Sequence, residues 1–321
     1  MVGRRPAGPE AGSPAVASTG AAGPAPVDAA LAQMPQRPLS PLRRRLLARM
    51  GRNRIAFVGA GVLVLIILFC FIGPLLYHTD QTHVEFGAAN LSPGTKGHSL
   101  GTDQSGYDVL GRLMAGGQTS LIVCVSSAAL AATVGSLVGA IAGFAGGVID
   151  SIIMRFTDAL LSLPQLFVVI VVATMIVPSR LSLIILIGAL SWFSTARLVR
   201  GEALRIRNLE YVDAARVAGA RSSSTIFRHV LPNAVGVIVV STTFQVADAI
   251  LLLASLDFLG LGIPPPAASW GGMLTSGLDY IADGYWWLIA PVGVLIVITV
   301  TAVNFIGEGL RDALEVRLRE R

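Results

Sequence analysis

Long apolar stretches, separated by short charged segments, constrain this chain more than any other feature of its sequence. The first stretch, Ile55–Tyr77, would form a helix about 34 Å long, which is enough to cross a hydrocarbon core of about 30 Å. Lipid offers no hydrogen-bond partners to backbone groups, so each such stretch must be helical. The other stretches lie at Ser120–Phe144, Asp158–Val177, Leu181–Val199, Val235–Leu259 and Trp286–Gly309.

The scarcity of charged residues supports the same fold class. They make up 13% of the 321 residues, whereas soluble domains carry roughly 25%. A surface with so few charges must face lipid. We therefore predict an all-α integral membrane protein, with residues 55–321 forming one domain of about six transmembrane helices. The net charge of +5 does not indicate nucleic acid, because the basic residues lie between apolar stretches and no nucleic-acid-binding motif is present.

The N-terminal part of the chain differs from the rest in composition. Residues 1–41 are rich in Ala, Gly and Pro. Such a segment cannot bury enough apolar surface to offset the entropy that is lost on ordering, so we predict a disordered cytoplasmic tail. Residues 42–54 form a basic juxtamembrane segment before the first apolar stretch.

The positions of Lys and Arg predict the orientation in the membrane, because cytoplasmic loops carry an excess of both residues. If the N-terminus is inside, the outside segments hold only Lys96, Arg112 and Arg180. The sequence therefore predicts that both termini are cytoplasmic. The predicted inside segments hold Arg43, Arg44, Arg45, Arg49, Arg52, Arg54, Arg155, Arg197, Arg200, Arg205, Arg207, Arg216, Arg221, Arg228, Arg311, Arg317, Arg319 and Arg321.

Two predicted outside loops are long enough to have structure of their own. They run about from His78 to Thr119 and from Gly260 to Tyr285. The prolines at 264–266 forbid a helix there, so we expect an irregular cap or a short re-entrant turn in the second loop.

Glycines recur at four-residue spacing in the second stretch, at Gly135, Gly139 and Gly143. Small residues on one face let helix backbones approach closely in lipid. This stripe predicts close packing, either within the bundle or against a partner subunit.

Residues 201–233 form a predicted cytoplasmic segment between the fourth and fifth stretches. Tyr211, Ala214, Ala215 and Ala218 are spaced at i, i+3, i+4 and i+7, so they share one face of a short helix. Apart from the tyrosine, these side chains are small. A small apolar face on an exposed helix suits insertion into a groove of another protein. An ordinary amphipathic connecting helix is the alternative interpretation.

This segment resembles the EAA signature of ABC importer permeases, a short coupling helix that docks into the nucleotide-binding subunit. Two positions depart from the signature: Asp213 replaces a Glu and keeps its charge, and His229 stands where an isoleucine is usual. The resemblance implies a role in docking the ATP-binding subunit for Tyr211, Asp213, Ala214, Ala215, Ala218, Gly219, Leu231 and Pro232.

Further motifs resemble those of the C-type permeases of dipeptide and oligopeptide importers, and they cover about residues 98–318. These motifs are Leu100–Leu110, Phe258–Gly262, Pro265-Pro266, Ser269-Trp270-Gly271 and Gly309–Leu314. Our candidates for functional residues in the outside loops are Gly101, Thr102, Asp103 and Trp270.

The resemblance implies a type I ABC importer permease fold in the bacterial inner membrane. It also implies a second, B-type permease subunit, two ATP-binding subunits and an extracytoplasmic substrate-binding protein. No Gly-x-x-x-x-Gly-Lys-Ser/Thr loop is present in this sequence. We therefore expect no cofactor on this chain, and ATP with Mg²⁺ on the partner subunits. No Ser/His/Asp or paired-carboxylate arrangement is spaced for catalysis and the four His residues are scattered, so we also expect no catalytic residue and no metal.

Other functions stay open from the sequence alone. Importers of nickel and glutathione use the same type of permease. A self-sufficient secondary transporter usually shows inverted repeats and broken helices, and neither is evident in the sequence. A membrane-embedded enzyme would need a cluster of catalytic residues within the membrane, and no such cluster is evident.

Two acids in the fifth stretch are candidates for the translocation path. Related permeases carry a Glu at the position of Leu253, whereas this chain has Asp248 and Asp257 nearby. An ionised Asp at the centre of a membrane helix costs roughly 2.5–3.5 kcal/mol, so it normally faces water, a cavity or a partner. We expect Asp248 to meet a polar group on a neighbouring helix or on the second permease. We expect Asp257 to line the outer mouth of the path; a solvated helix-end residue is the alternative.

Overall fold

The computed structural model of the protein describes residues 54–77, 87–95, 97–217 and 221–319. The predicted tail, residues 1–41, and nearly all of the basic segment lie outside these residues. Within the described ranges the backbone is helical or irregular, with two isolated β-bridges and no β-strand.

The helices are numbered here in chain order. A π-helical turn, Ile226–Val230, connects α9 to α10, and a 3-10 turn, Trp286–Leu288, precedes α12. The α-helices are α1 Arg54–Phe71, α2 Gly73–Leu76, α3 Val109–Ala145, α4 Gly147–Leu161, α5 Gln165–Ala173, α6 Arg180–Ala189, α7 Trp192–Arg207, α8 Glu210–Val217, α9 Ser222–Thr225, α10 Leu231–Phe258, α11 Trp270–Leu278 and α12 Ala290–Arg319.

Four helical runs in the described part of the chain are long and apolar enough to cross a membrane by themselves. They are α1, α3, the run Ser222–Phe258 that ends in α10, and the run Trp286–Leu314 that leads into α12. The number rises to as many as 6 if the bent pairs α4–α5 and α6–α7 each count as one span. The second and sixth predicted stretches each lie within one continuous run, and the fifth does so except for its last residue, Leu259.

The third and fourth predicted stretches each fall on a bent pair of helices rather than on one straight helix. α4 and α5 meet at an angle of 85°, and α6 and α7 meet at 42°. Pro164 lies at the first break; it has no N–H to donate and restricts the residue before it. Broken helices are typical of secondary transporters, so the helices alone leave that class open.

The bend between α6 and α7 is stabilised by side chains from two other helices. Nε2 of Gln165 donates to the carbonyl oxygen of Leu190 at 3.3 Å. Nε2 of Gln245 donates to the carbonyl oxygen of Ser191 at 3.0 Å and to Oγ1 of Thr195 at 2.6 Å. A break within a membrane needs such internal donors, because lipid cannot supply them.

α3 and α7 are in direct backbone contact along the predicted glycine stripe. A Cβ atom added to Gly139 would collide with the carbonyl oxygen of Ala196, and one added to Gly143 would lie 2.6 Å from the carbonyl oxygen of Arg200. Gly135 approaches α7 in the same way. The stripe therefore packs within this chain, which confirms the predicted close packing.

The main apolar core lies between the helices that surround α3. Its buried side chains come from α1, α3, α5, α6, α10, α11 and α12, so these helices pack around one common interior. Representative members are Ile66, Val123, Val169, Leu186, Leu256 and Ile296.

The bundle has two distinct ends. We call the end that carries residues 87–108 and 259–289 the loop end, and the opposite end, which carries residues 208–230, the arginine end. At the loop end, Trp287 packs with Val109 at the start of α3. At the arginine end, Val230 packs with Phe144 in the last turn of α3. The charge distribution predicts that the loop end is extracytoplasmic.

The contact between α3 and α7 can be tested with a matched pair of substitutions. Gly139→Leu should destabilise the chain by about 1–3 kcal/mol, the usual cost of overpacking, because the new side chain meets the α7 backbone. Gly201→Leu is the control, since an added Cβ at Gly201 in α7 meets nothing within 4 Å. The measurement is the thermal unfolding midpoint of each purified variant in detergent. Equal midpoints would contradict the direct contact.

Candidate functional site

The predicted coupling helix, α8, is attached to the arginine end by a buried valine. Val212 is fully buried and belongs to an apolar cluster with Phe144 of α3, Ile206 of α7 and Val230. The N–H of Val212 also donates to the carbonyl oxygen of Leu209 at 2.8 Å, in the turn between α7 and α8. The helix is therefore fixed to the bundle rather than suspended from a free loop.

Other side chains of α8, which do not take part in this buried cluster, are exposed and partly apolar. Val217 is 91% exposed and Tyr211 is 46% exposed. Phe227, in the π-helical turn beside α8, is also exposed.

The structure tests only part of the predicted docking face. The structure gives the backbone, but not the side chains, of three residues in α8: Asp213, Ala214 and Ala215. Two further predicted docking residues lie outside the described ranges: Ala218 and Gly219. Docking through this face therefore stays a prediction. The sequence analysis missed Val212 as the anchor, although Leu209 and Val212 are spaced at i, i+3 and could have indicated a second, buried face.

Leu231 and Pro232 form the first turn of α10 and continue the helical run that begins at Ser222. The π-helical turn just before them accommodates the missing N–H of Pro232. Nδ2 of Asn233 donates to the carbonyl oxygen of His229 at 2.6 Å. The His229 ring lies 5.6 Å from the Tyr211 ring, centroid to centroid. The departure from the signature at His229 thus adds a contact between α8 and the run leading to α10.

At the loop end, Thr102 is a buried centre of hydrogen bonds. Its Oγ1 accepts from the N–H of Leu91 at 2.8 Å and donates to the carbonyl oxygen of Ala88. Nε1 of Trp287 donates to the carbonyl oxygen of Thr102 at 3.4 Å. Gly101 has φ +76°, and an added Cβ would collide with the carbonyl oxygen of Leu91. Gly101 and Thr102 are buried, so they stabilise the loop and are not available as a contact surface.

Asp103 organises the turn that leads into α3. Its Oδ1 accepts from the N–H groups of Ser105 and Tyr107, both at 2.9 Å. Burial raises the pKa of Asp103, and the hydrogen bonds from Tyr107 and Ser105 and the charge of Arg112 offset part of that increase. The following carboxylate, Asp108, caps α3 by accepting from the N–H of Gly111 at 2.7 Å.

Trp270 joins the second outside loop to α3. Its ring is buried, and Nε1 donates to the carbonyl oxygen of Leu113 at 3.0 Å. Its backbone N–H donates to Oγ of Ser120 at 3.1 Å. Trp270 is therefore an anchor of α11 on α3, and like Thr102 it is not exposed to a partner.

Asp257 does not lie where the sequence analysis placed it. It is only 6% exposed, so neither a water-filled outer mouth nor a solvated helix end describes its surroundings in this chain. Its Oδ1 accepts from the N–H of Ile263 at 2.9 Å. Gly262 and Gly271 lie so close that an added Cβ at either would overlap the carboxylate group. The loop motifs fold around this acid, because a buried carboxylate needs nearby N–H donors.

Asp248 is exposed on α10, whereas Leu253 on the same helix is buried in the core. The expectation that Asp248 meets a neighbouring helix of this chain receives no support from the described contacts. Contact with the second permease and a role in the translocation path both stay predictions for Asp248. Among the described residues, no group of three His, Cys, Asp or Glu side chains could hold a metal ion.

Two parts of the chain match known protein families. Residues 135–320 match the binding-protein-dependent transport system inner membrane component. Residues 40–93 match the N-terminal transmembrane domain of oligopeptide transport permease C.

Similar proteins of full length give the same result. The oligopeptide transport system permease protein OppC of Bacillus subtilis is 39% identical over 272 residues, which cover 85% of this chain and 88% of OppC. The dipeptide transport system permease protein DppC of the same organism is 38% identical over 271 residues, covering 84% of each chain. OppC of Escherichia coli is 40% identical over 272 residues, covering 84% of this chain and 90% of that protein.

These matches confirm the resemblance that the loop motifs and the coupling segment indicated. They also exclude a self-sufficient secondary transporter, an interpretation that the broken helices alone left open. The chain therefore belongs to the family of binding-protein-dependent transport system inner membrane components, the permeases of ABC importers.

Proposed function

We propose that this chain forms half of the translocation path of an ATP-driven importer for peptides in the bacterial inner membrane. The observation that carries the proposal is the 38–40% identity to oligopeptide and dipeptide permeases over most of the chain. The other half of the path comes from a second, B-type permease subunit. An extracytoplasmic binding protein delivers the peptide to the loop end.

ATP hydrolysis takes place on two partner subunits, which bind ATP and Mg²⁺ and dock at the arginine end. The exposed side chains of Tyr211 and Val217 support α8 as the docking element. The buried Val212 supports a mechanical role, because movement of α8 acts directly on α3 and α7 through the cluster that they share. In this proposal, docking switches the bundle between outward and inward access.

Nickel and glutathione remain the alternative substrates, since importers of both use this type of permease. A deletion strain that lacks this chain distinguishes them. We expect uptake of radiolabelled dipeptides and oligopeptides to fall to background, with uptake of nickel and glutathione unchanged. Expression of the chain from a plasmid should restore peptide uptake. Loss of nickel or glutathione uptake with normal peptide uptake would refute the peptide assignment.

The proposed orientation, with both termini cytoplasmic, can be tested by cysteine labelling. Ser222→Cys at the arginine end and Ala282→Cys at the loop end both introduce exposed thiols. We expect a membrane-impermeant maleimide to label only Ala282→Cys in intact cells, and both variants after permeabilisation. The native Cys70 and Cys124 are buried, so they give little background. Labelling of Ser222→Cys in intact cells would reverse the orientation.

The docking role of α8 can be tested at Val217. Val217→Asp places a charge on an exposed apolar position, so it should weaken retention of the ATP-binding subunits at least about tenfold, or roughly 1.4 kcal/mol. Val217→Ile keeps the apolar surface and serves as the control. The measurement is the amount of ATP-binding subunit that co-purifies with the tagged chain, together with peptide uptake. Normal retention and uptake with Val217→Asp would argue against docking through this part of α8.

A further inference from the structure

α4 has two exposed sides of different chemical character. One side is apolar and carries large side chains one turn apart: Val148, Ile152 and Phe156. The other is a polar edge of three exposed residues at i, i+4 and i+7: Ser151, Arg155 and Asp158. Lipid suits the apolar side only, because charged side chains within a membrane protein normally face water, a cavity or a partner.

α7 carries a second polar edge, next to the first. Its exposed residues Ser194, Arg197 and Gly201 are spaced at i, i+3 and i+7, on the side away from the buried Ala196. Nη2 of Arg197 pairs with Oδ1 of Asp158 in α4, and their side chains are 54% and 61% exposed. The two edges therefore adjoin, and we call the exposed surface that they form the polar groove.

The polar groove extends from within the bundle to the arginine end. Ala196 lies against Gly139 of α3, which is about 9 Å from the last residue of that helix, Ala145, at about 1.5 Å per residue. Ser194 lies about 3 Å further from the arginine end by the same measure. The bent helix pairs that contain both polar edges are apolar enough to span a membrane. The groove thus brings polar side chains into a membrane-spanning part of the chain.

The structure of the groove is firm at its base and open above Gly201. Arg200 donates two hydrogen bonds of 2.6 Å to the carboxylate of Asp150, which hold α7 against α4. An added Cβ at Gly201 meets nothing within 4 Å. Space is therefore available over α7 without any change in the packing of the two helices.

The groove carries both signs of charge, from Arg155, Arg197 and Asp158. A peptide in solution also carries both signs, on its terminal ammonium and carboxylate groups. Polar walls with both charges let such a solute pass with its charged ends in contact with water and side chains, whereas an apolar wall would require it to lose that contact.

We propose that the polar groove lines the inner mouth of the translocation path, through which the peptide leaves towards the cytoplasm. The groove reaches the end of the bundle at which α8 is attached, so the mouth lies beside the proposed docking site of the ATP-binding subunits. The apolar side of α4 faces lipid. The identity of the transported solute rests on the proposed function.

The first test measures how fast a charged, membrane-impermeant methanethiosulfonate reagent modifies Ser194→Cys. Inside-out vesicles with the complete importer present the cytoplasmic side to the reagent. Trapping with ATP and vanadate closes the ATP-binding subunits and draws the docked helices together, so the mouth should close. The rate of modification should fall at least about tenfold on trapping, because it follows the population of the open state.

Phe156→Cys is the matched control for this measurement. Phe156 lies two residues before Asp158 on α4, at a similar depth, but on the apolar side. Its thiol should stay unmodified in both states, because lipid excludes a charged reagent. The native Cys70 and Cys124 are buried, so the wild-type chain gives the background.

Three results of the labelling test would overturn the proposal. An unreactive Ser194→Cys in both states would mean that lipid or the second permease covers the groove. Equal rates with and without trapping would indicate a fixed crevice. Modification of Phe156→Cys as fast as of Ser194→Cys would remove the distinction between the two sides of α4.

The second test places a large side chain in the open part of the groove. Gly201→Trp should abolish peptide uptake by narrowing the mouth, and Gly201→Ala should leave uptake unchanged. The thermal unfolding midpoint and the amount of co-purifying ATP-binding subunit should be unaffected, because the new ring enters open space. Normal uptake with Gly201→Trp, or loss of uptake together with the ATP-binding subunits, would contradict a role in the path.

The two tests also separate this proposal from the proposed function. If the wild-type importer takes up no peptide while Ser194→Cys still responds to trapping, the inner mouth is supported and the peptide assignment fails. If the wild-type importer takes up peptide and Ser194→Cys does not respond to trapping, the peptide assignment is supported and the inner mouth is wrong.

Discussion

Along Gly135, Gly139 and Gly143, the backbone of α3 lies directly against α7, with the Cβ atoms of Thr195 and Ala203 beside the contact. Both ends of the molecule depend on this contact. The first turn of α3 carries the acceptor for Trp270 and thereby positions the second loop. Its last turn provides Phe144 for the cluster that holds α8. A pair of helices in backbone contact has little room to slide by side-chain rearrangement.

Several polar side chains within the bundle form hydrogen bonds to groups on other helices. Gln245 bridges the break between α6 and α7, and Arg200 forms two hydrogen bonds of 2.6 Å with Asp150 of α4. The bent spans are therefore held in shape by partners from other helices. Asp248 differs from these groups, because it is exposed on α10 and an ionised Asp within a membrane helix normally faces water, a cavity or a partner.

Sequence patterns predicted the parts of the fold that local composition determines. The fifth and sixth stretches are long and uninterrupted, so their helices were placed well. The break near Leu190 was missed, because it depends on hydrogen bonds from Gln165 and Gln245, which belong to other helices. The buried state of Asp257 was missed for the same reason. Its environment is a folded loop, and helical geometry alone places it near water.

The buried Asp257 also bears on the order in which the loop end assembles during synthesis. Its partner, the N–H of Ile263, follows only 6 residues later, so the two leave the ribosome almost together. Nε1 of Trp270 instead donates a hydrogen bond to the carbonyl oxygen of Leu113, a residue that is synthesised 157 residues earlier. At usual elongation rates, roughly 8–30 s separate those two residues. The turn around Asp257 can therefore close at once, while α11 docks onto an α3 that has long been in the membrane.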